Sequence, residues 1–475
     1  MDLLQLIIAI AAFAKAEQSL LQAQNNTFNS TFTLTPEQIS AANLSSATAH
    51  NVEIALRTER TNNAGSLAQE DPFYSLPSNL SLSSLPSPGS ILKIEEHSNT
   101  TLYTLPPTTS LSRFLYVSET LNGTRVPASA YVLWPFTPRR HRNGTIPTTY
   151  PTIGFAHGTS GQATACAPSN LRGLWDDFHG PFAAALAGYA VVAPDYAGLG
   201  VPGVDSPYFV FPSQANDVFH AVAAAQRHWS EQLSKEFVVI GQSLGGSTAW
   251  AAAERQAKRP VEGYLGAMAA SPFTDVLADL AGEDEGQANV RVVAIAQGLE
   301  SVRPGFSPRE WLTETGVARL ELMLEIQACG DASAALLDPE EGVEFVKPGW
   351  NETESAKWWA NVSSIGKKAV NGPMLVLQGS EDGNAIENVT TAAVRETCQM
   401  FPEVRLEYSV YDGVKHAPII FAAQGQWQTW IGDRFDGVGA ESEGSCKMET
   451  VKAGRGGDNT VKDENWFIEY DLSSG

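Results

Sequence analysis

Basic residues are scarce in this 475-residue chain: 31 Lys and Arg stand against 53 Asp and Glu, a formal net charge of −22. Nucleic acids and anionic membrane surfaces recruit proteins through Lys and Arg, so neither is expected as a partner. Long apolar runs are also missing. The run Leu3 to Ala14 is too short to cross a bilayer, which leaves no transmembrane anchor in this reading. There are four cysteines, with no C-x-x-C pair among them, and no spacing of His, Cys, Asp and Glu suits a metal. Neither a Walker pattern nor a G-x-G-x-x-G dinucleotide fingerprint occurs, so no metal and no cofactor are expected. What remains is ample apolar material. A hydrophobic content of 43% over this length allows one large domain with insertions, or two ordinary ones, around a sizeable core.

Several features point outside the cell. Ala14-Lys15-Ala16 follows the first apolar run as a small-x-small site, so residues 1–16 read as a secretory signal peptide. Asp2 and the lack of an early Lys or Arg are atypical, and a buried amphipathic helix is the alternative. N-x-S/T acceptor sites occur at Asn25, Asn29, Asn43, Asn79, Asn99, Asn122, Asn143, Asn351, Asn361 and Asn388, none of them between Pro147 and Trp350. Cys166, Cys329, Cys398 and Cys446 are an even number in a chain that looks secreted, which favours two disulfides. Of the three possible pairings, Cys166 with Cys329 and Cys398 with Cys446 is preferred. It would tie an inserted cap to the core and the C-terminal tail to the last part of the sheet. A secreted glycoprotein is expected; its pI of about 4.8 keeps it soluble, and a monomer is the expectation.

After the signal comes an N-terminal arm, 17–88, to which no chemistry is assigned. It contains a predicted helix from Pro36 to about Arg57 capped by Thr35 and ends in a Pro- and Ser-rich stretch. Strands are predicted at 91–95, 113–120 and 128–134, with Asn122-Gly123 as the hairpin turn between the last two. Strands then alternate with helices, the pattern of a mostly parallel sheet. The strands are 152–156, 190–194, 237–240 and 264–270, and the helices 175–187 and 213–232. Residues 89–272 thus form the first part of an α/β core. From 273 to 365 the alternation gives way to a helical stretch with apolar residues through Trp311, Leu312, Val317, Leu320, Leu324 and Cys329. Such an insertion lies over the strand ends, where open α/β sheets bind ligands. Residues 366–432 complete the core with strands 373–378 and 405–411 and a closing helix 418–432. A polar tail, 433–475, carries little signal.

Phe237–Ala253, FVVIGQSLGGSTAWAAA, organises the chain. A buried strand is followed by a sharp turn on Ser243 and a helix, and Gly241, Gly245 and Gly246 give the G-x-S-x-G pattern that holds a serine in a strained strand-to-helix turn. Side chains at the flanking positions would collide with neighbouring elements. A serine hydroxyl needs a base and a group to orient that base. On this fold the chain order is Ser, then an acid, then His. Beyond Ser243 lies one histidine, His416, which becomes the candidate base. Asp382, a few residues past the strand MLVLQG, is the preferred orienting acid, with Glu381 second and Asp412 third. The oxyanion needs two backbone N–H donors. Leu244, just after the nucleophile, and Thr159, in the HGTSG loop, are the candidates. His157 is expected to brace that loop.

DPFY at 71–74, PGSIL at 88–92, AHGTSG with CAPS at 156–169, APDYAGLG at 193–200 and the GQSLGG elbow together resemble the secretory lipase family of the α/β-hydrolase superfamily, over residues 71 to about 432. The resemblance implies an extracellular, metal-independent serine hydrolase acting on small-molecule or lipid esters. It also implies an α/β-hydrolase fold, a mostly parallel central sheet flanked by helices, with the helical cap between the sixth and seventh sheet strands. Its triad falls on Ser243, Asp382 and His416. Family members often carry an aromatic residue where this chain has Gln242, and the arm before residue 71 has no counterpart. Lipase (triacylglycerol lipase type) and esterase (carboxylesterase type, or a deacetylase of small secondary metabolites) both remain open, as does a serine peptidase or acyltransferase using the same triad. A non-catalytic binding protein on the same fold is the remaining reading.

Overall fold

The computed structural model describes residues 31–438 and 446–462; the expected signal peptide and the sites at Asn25 and Asn29 lie outside them. Among the described residues ten strands form one sheet: β1 (Ile91–Glu95), β2 (Ser110–Glu119), β3 (Arg125–Trp134), β4 (Tyr150–Ala156), β5 (Ala190–Pro194), β6 (Leu233–Gln242), β7 (Tyr264–Ala270), β8 (Met374–Gly379), β9 (Leu406–Tyr411) and β10 (Cys446–Val451). Their order across the sheet is β1-β2-β3-β5-β4-β6-β7-β8-β9-β10. The β1, β2, β3 and β5 pairings are antiparallel, and from β5 onward every pairing is parallel. From β4 the chain steps outward to β5 and then returns to β6 on the other side of β4. The loops leaving β4 and β6 therefore diverge and open a crevice at the carboxyl ends of the strands.

Side chains alternate across the sheet with the period of two that strands impose. Val191, Val238, Ile240, Met268, Leu375 and Leu377 face one side, where Phe182, Ile419, Trp427 and Ile431 cover them. Val192, Val239, Ala267 and Val376 face the other, beneath the helices Phe211–His228 and Leu244–Lys258 and the inserted helices. Strands buried on both faces read as continuous apolar runs, as FVVI does in β6. The first of those helices lies so close that a Cβ on Gly154 of β4 would press on Val218 and Val222.

Between β7 and β8 the chain builds helices at Val276–Gly282, Glu285–Glu300, Glu314–Glu325, Gly330–Leu336 and Glu354–Ser363. Counted from β2, this insertion separates the sixth strand from the seventh; β1 is an added edge strand. Trp311 and Trp359 are fully buried in it, their rings 6.1 Å apart.

Several boundaries differ from the sequence reading. The single helix expected over 36–57 is two, Pro36–Ala41 capped by Thr35 and Ser46–Thr61 capped by Ser45, broken where Asn43 takes φ 49°. The helix expected over 175–187 shrinks to Pro181–Leu186, because Leu174, Trp175 and Asp177 all carry positive φ. The closing helix divides into Ile419–Ala422 and Gln424–Phe435. The tail supplies β10, parallel to β9 on the sheet edge. Disulfides join Cys166 to Cys329 and Cys398 to Cys446, with Cα atoms 5.5 and 6.0 Å apart. The second fixes β10 to the helix Glu387–Met400.

The arm is integral to the fold. Arg319, fully buried in the insertion, donates to the carbonyls of Ala42 (2.7 Å) and Asn43 (2.9 Å) and to Glu340 Oε1 (2.9 Å). Glu59 accepts from the backbone N–H groups of Cys329 (2.9 Å) and Ala332 (2.8 Å), which open the helix Gly330–Leu336. Among the described residues no helix is long and apolar enough to cross a membrane, and no cluster of His, Cys, Asp and Glu could hold a metal ion.

Candidate active site

Parallel pairing brings four loops to one edge. Ala156 of β4 lies beside Gly241 of β6, Gln242 beside Ala270 of β7, and Gly379 of β8 beside Tyr411 of β9. HGTSG, Ser243, Asp382 and His416 therefore leave the sheet at the same level. Ser243 sits between β6 and the helix Leu244–Lys258 with φ 60° and ψ −126°, a conformation that costs an L-residue energy and persists because its surroundings enforce it. The glycines permit it. A Cβ on Gly245 would run into the carbonyl oxygen of Ala156, and one on Gly246 into that of Ala270.

His416 Nε2 lies 2.8 Å from Ser243 Oγ, and its Nδ1 lies 2.8 and 2.9 Å from the two Asp382 oxygens. Asp382 is buried and anchored from behind. Its Oδ1 accepts from the backbone N–H groups of Asn384 and Ala385, each at 3.0 Å, and its Oδ2 accepts from Gln378 Nε2 at 3.1 Å. Burial raises the pKa of this carboxyl, but the charge of His416 and hydrogen bonds from His416, Ser271 and Asn384 outweigh it and hold the group below its ordinary value. It is a carboxylate at neutral pH. Glu381 instead pairs with Lys462 at the surface (2.9 Å), and Asp412 is exposed, its N–H bonded to Val451 O in β10.

The N–H of Leu244 opens a helix and so lacks an intrahelical acceptor. Among the described residues neither it nor the N–H of Thr159 donates within the protein. The loop carrying Thr159 is braced at several points. Gly158 N donates to Asp176 Oδ2 at 2.9 Å, and Thr159 Oγ1 meets Tyr208 Oη at 2.8 Å. His157 is buried, stacked 4.1 Å from Tyr196, with its ring nitrogens facing the carbonyls of Gly158 (2.6 Å) and Asp195 (3.2 Å). Burial lowers its pKa to about 4, so it is a neutral strut.

Sequence reasoning gave no role to several side chains around this site. Gln242 reaches across the crevice and donates from Nε2 to the carbonyl of His416 at 3.1 Å. Arg291, on the inserted helix Glu285–Glu300, pairs with Glu283 through Nε (3.0 Å) and Nη2 (2.9 Å). Its guanidinium lies 4.6 Å from the ring of Phe273, which is 5.9 Å from the His416 ring. Only tertiary structure joins these residues, and no local pattern marks them.

Residues 155–424 match the model of the alpha/beta hydrolase family, and the chain belongs to that family. Its fold is that of solved lipases and esterases. Candida antarctica lipase A superposes with a TM-score of 0.62 at 16% identity, covering 81% of this chain and 89% of that one. The rice cell wall degrading esterase LipA from Xanthomonas oryzae gives 0.56 at 18%, covering 74% and 99%. No curated protein matches the chain by sequence.

Proposed function

We propose that this protein is a secreted serine hydrolase that cleaves carboxylic esters through an acyl-enzyme on Ser243. The observation that carries the reading is the chain of contacts from Ser243 Oγ through His416 to the buried Asp382 carboxylate, all within 2.9 Å. His416 Nε2 takes the Ser243 proton as Oγ attacks the ester carbonyl, and Asp382 stabilises the imidazolium that forms. The N–H groups of Leu244 and Thr159 receive the oxyanion. Collapse of the tetrahedral intermediate breaks the bond to the alcohol, which leaves with the proton from His416. Water then enters, gives its proton to His416 and attacks the acyl carbon; the second collapse frees the acid and returns the proton to Ser243.

The compartment rests on other features. Two disulfides suit an oxidising environment. Asn43, Asn79, Asn99, Asn122, Asn143, Asn351, Asn361 and Asn388 are all exposed, as glycan attachment requires. Hydrolysis of a chromogenic ester series from acetyl to palmitoyl tests the reading against Ser243→Ala, which should lose several orders of magnitude if the triad acts as a unit. Equal rates in the variant, or no hydrolysis at any chain length, would refute it.

A further inference from the structure

We infer that the insertion is a fixed roof and that the enzyme takes esters dissolved singly in water, without activation at a lipid–water interface; this rests on the serine-hydrolase reading above. An interfacially activated lipase needs a cover that moves and an apolar face that lipid can hold. Among the described residues the insertion is tied down on several sides and presents a charged outer surface.

The roof is held from several directions. The arm clamps it through the fully buried Arg319 and through Glu59, which caps the helix Gly330–Leu336. Cys329, at the start of that helix, is bonded to Cys166 in the loop that follows HGTSG. Beside it, Gln327 Oε1 accepts from Thr164 Oγ1 (2.8 Å) and Ala165 N (3.2 Å) of the same loop. At the entry to the insertion, Asp279 is buried and accepts from Ile386 N (3.0 Å), in the segment that carries Asp382, and from Thr274 N (3.1 Å). At its far end Trp359 Nε1 donates to Phe209 O (3.0 Å). Moving the roof as a body would break the Cys166–Cys329 disulfide and the bonds from Arg319 to the Ala42 and Asn43 carbonyls of the arm. No such movement is needed, because Ser243 and His416 are already partly exposed with the roof in place.

The outer surface of the roof points the same way. None of the exposed large apolar residues of the described chain falls within 273–365. That segment carries 17 Asp and Glu against 6 Lys and Arg, a net charge of −11, half that of the whole chain. Glu300, Glu314, Glu321, Asp331, Glu344 and Glu354 are among those on its solvent side. A surface so charged is repelled by anionic lipid, and it offers neutral lipid no fully exposed large apolar side chain to hold.

The experiment follows the initial rate of tributyrin hydrolysis by the full chain as tributyrin passes from solution into emulsion. A second measurement follows the labelling of Ser243 by diethyl p-nitrophenyl phosphate with and without zwitterionic detergent micelles. The expected results are hyperbolic saturation that passes the solubility limit without a step, and labelling rates that agree within about twofold. A rate that is negligible in solution and climbs about tenfold or more on the emulsion, or labelling accelerated to that extent by micelles, would overturn the inference. Absence of both hydrolysis and labelling is a separate outcome, which removes the serine-hydrolase reading on which the inference stands.

Discussion

Replacing Asp382 by Asn changes one atom, and the hydrogen bonds around it fix which way the amide must point. The Oδ1 position accepts two backbone N–H groups, those of Asn384 and Ala385; the carbonyl oxygen of Asn must stay there. The new NH2 then occupies the Oδ2 position, facing Gln378 Nε2 and His416 Nδ1. Gln378 cannot turn to accept it, because Nε2 also donates to Ala385 O at 2.8 Å and a flip would set two oxygens against each other. His416 Nδ1 then lies 2.8 Å from the retained oxygen and 2.9 Å from the new NH2; a proton on Nδ1 would meet the NH2 hydrogens, and the carboxylate charge that held it there is gone, which favours the tautomer with its proton on Nε2, the atom that faces Ser243. That tautomer cannot take the serine proton. The expected loss is about four orders of magnitude in kcat, with substrate binding largely retained. The donor facing Gln378 should cost about 1–3 kcal/mol of stability. Ester hydrolysis at saturating substrate from neutral to alkaline pH, together with urea unfolding of both proteins, separates the two effects. A folded Asp382→Asn protein within about tenfold of the parent kcat would refute the reasoning.

Three further outcomes follow. Gln242→Leu removes the bond to the His416 carbonyl, worth about 1 kcal/mol, and should lower kcat about fivefold with KM unchanged; Gln242→Glu, which cannot donate, should match it, and a pure KM effect would argue against a positioning role. The Cys166–Cys329 disulfide closes a loop of 163 residues, so changing both cysteines to Ser should cost about 5 kcal/mol in the chain-entropy account; an unchanged urea midpoint would contradict that. Burial raises the pKa values of Asp217 and Glu254 to about 7 and of Asp279 to about 8. Near pH 5 these acids hold protons in the folded chain and have lost them in the unfolded one. Stability should therefore fall as pH rises from 5 to 8, by up to about 1.4 kcal/mol per pH unit for each group. Thermal unfolding across that window reads the slope. Asp217→Asn should flatten it, because Ser118 Oγ can reverse to accept the new amide.

The elbow and the chain order of the candidate triad were legible because local rules write them into the sequence. A strained turn demands glycines at fixed offsets, and strands buried on both faces appear as short apolar runs. Only one histidine follows Ser243, which left little choice of base. What was illegible depends on contacts between distant segments. Nothing near Arg319 or Glu59 reveals that the arm lies against the insertion, and the polar arm was therefore given no role. β10 escaped notice because an exposed edge strand, CKMETV, lacks the apolar alternation that betrays a half-buried one. The breaks at Asn43 and at Leu174–Trp175 are single-residue departures into positive φ, which propensity summed over a window does not detect. Gln242 was noticed as a departure from the family pattern, but its bond to His416 spans 174 positions of sequence.

The most direct test of the central claim is mass spectrometry of the protein after stoichiometric reaction with diethyl p-nitrophenyl phosphate, followed by peptide mapping. One diethylphosphoryl group per chain is expected, on Ser243, with loss of esterase activity in step with labelling and no adduct in Ser243→Ala. A hydrolytically active protein that stays unlabelled, or an adduct mapped to another residue while activity is lost, would contradict it.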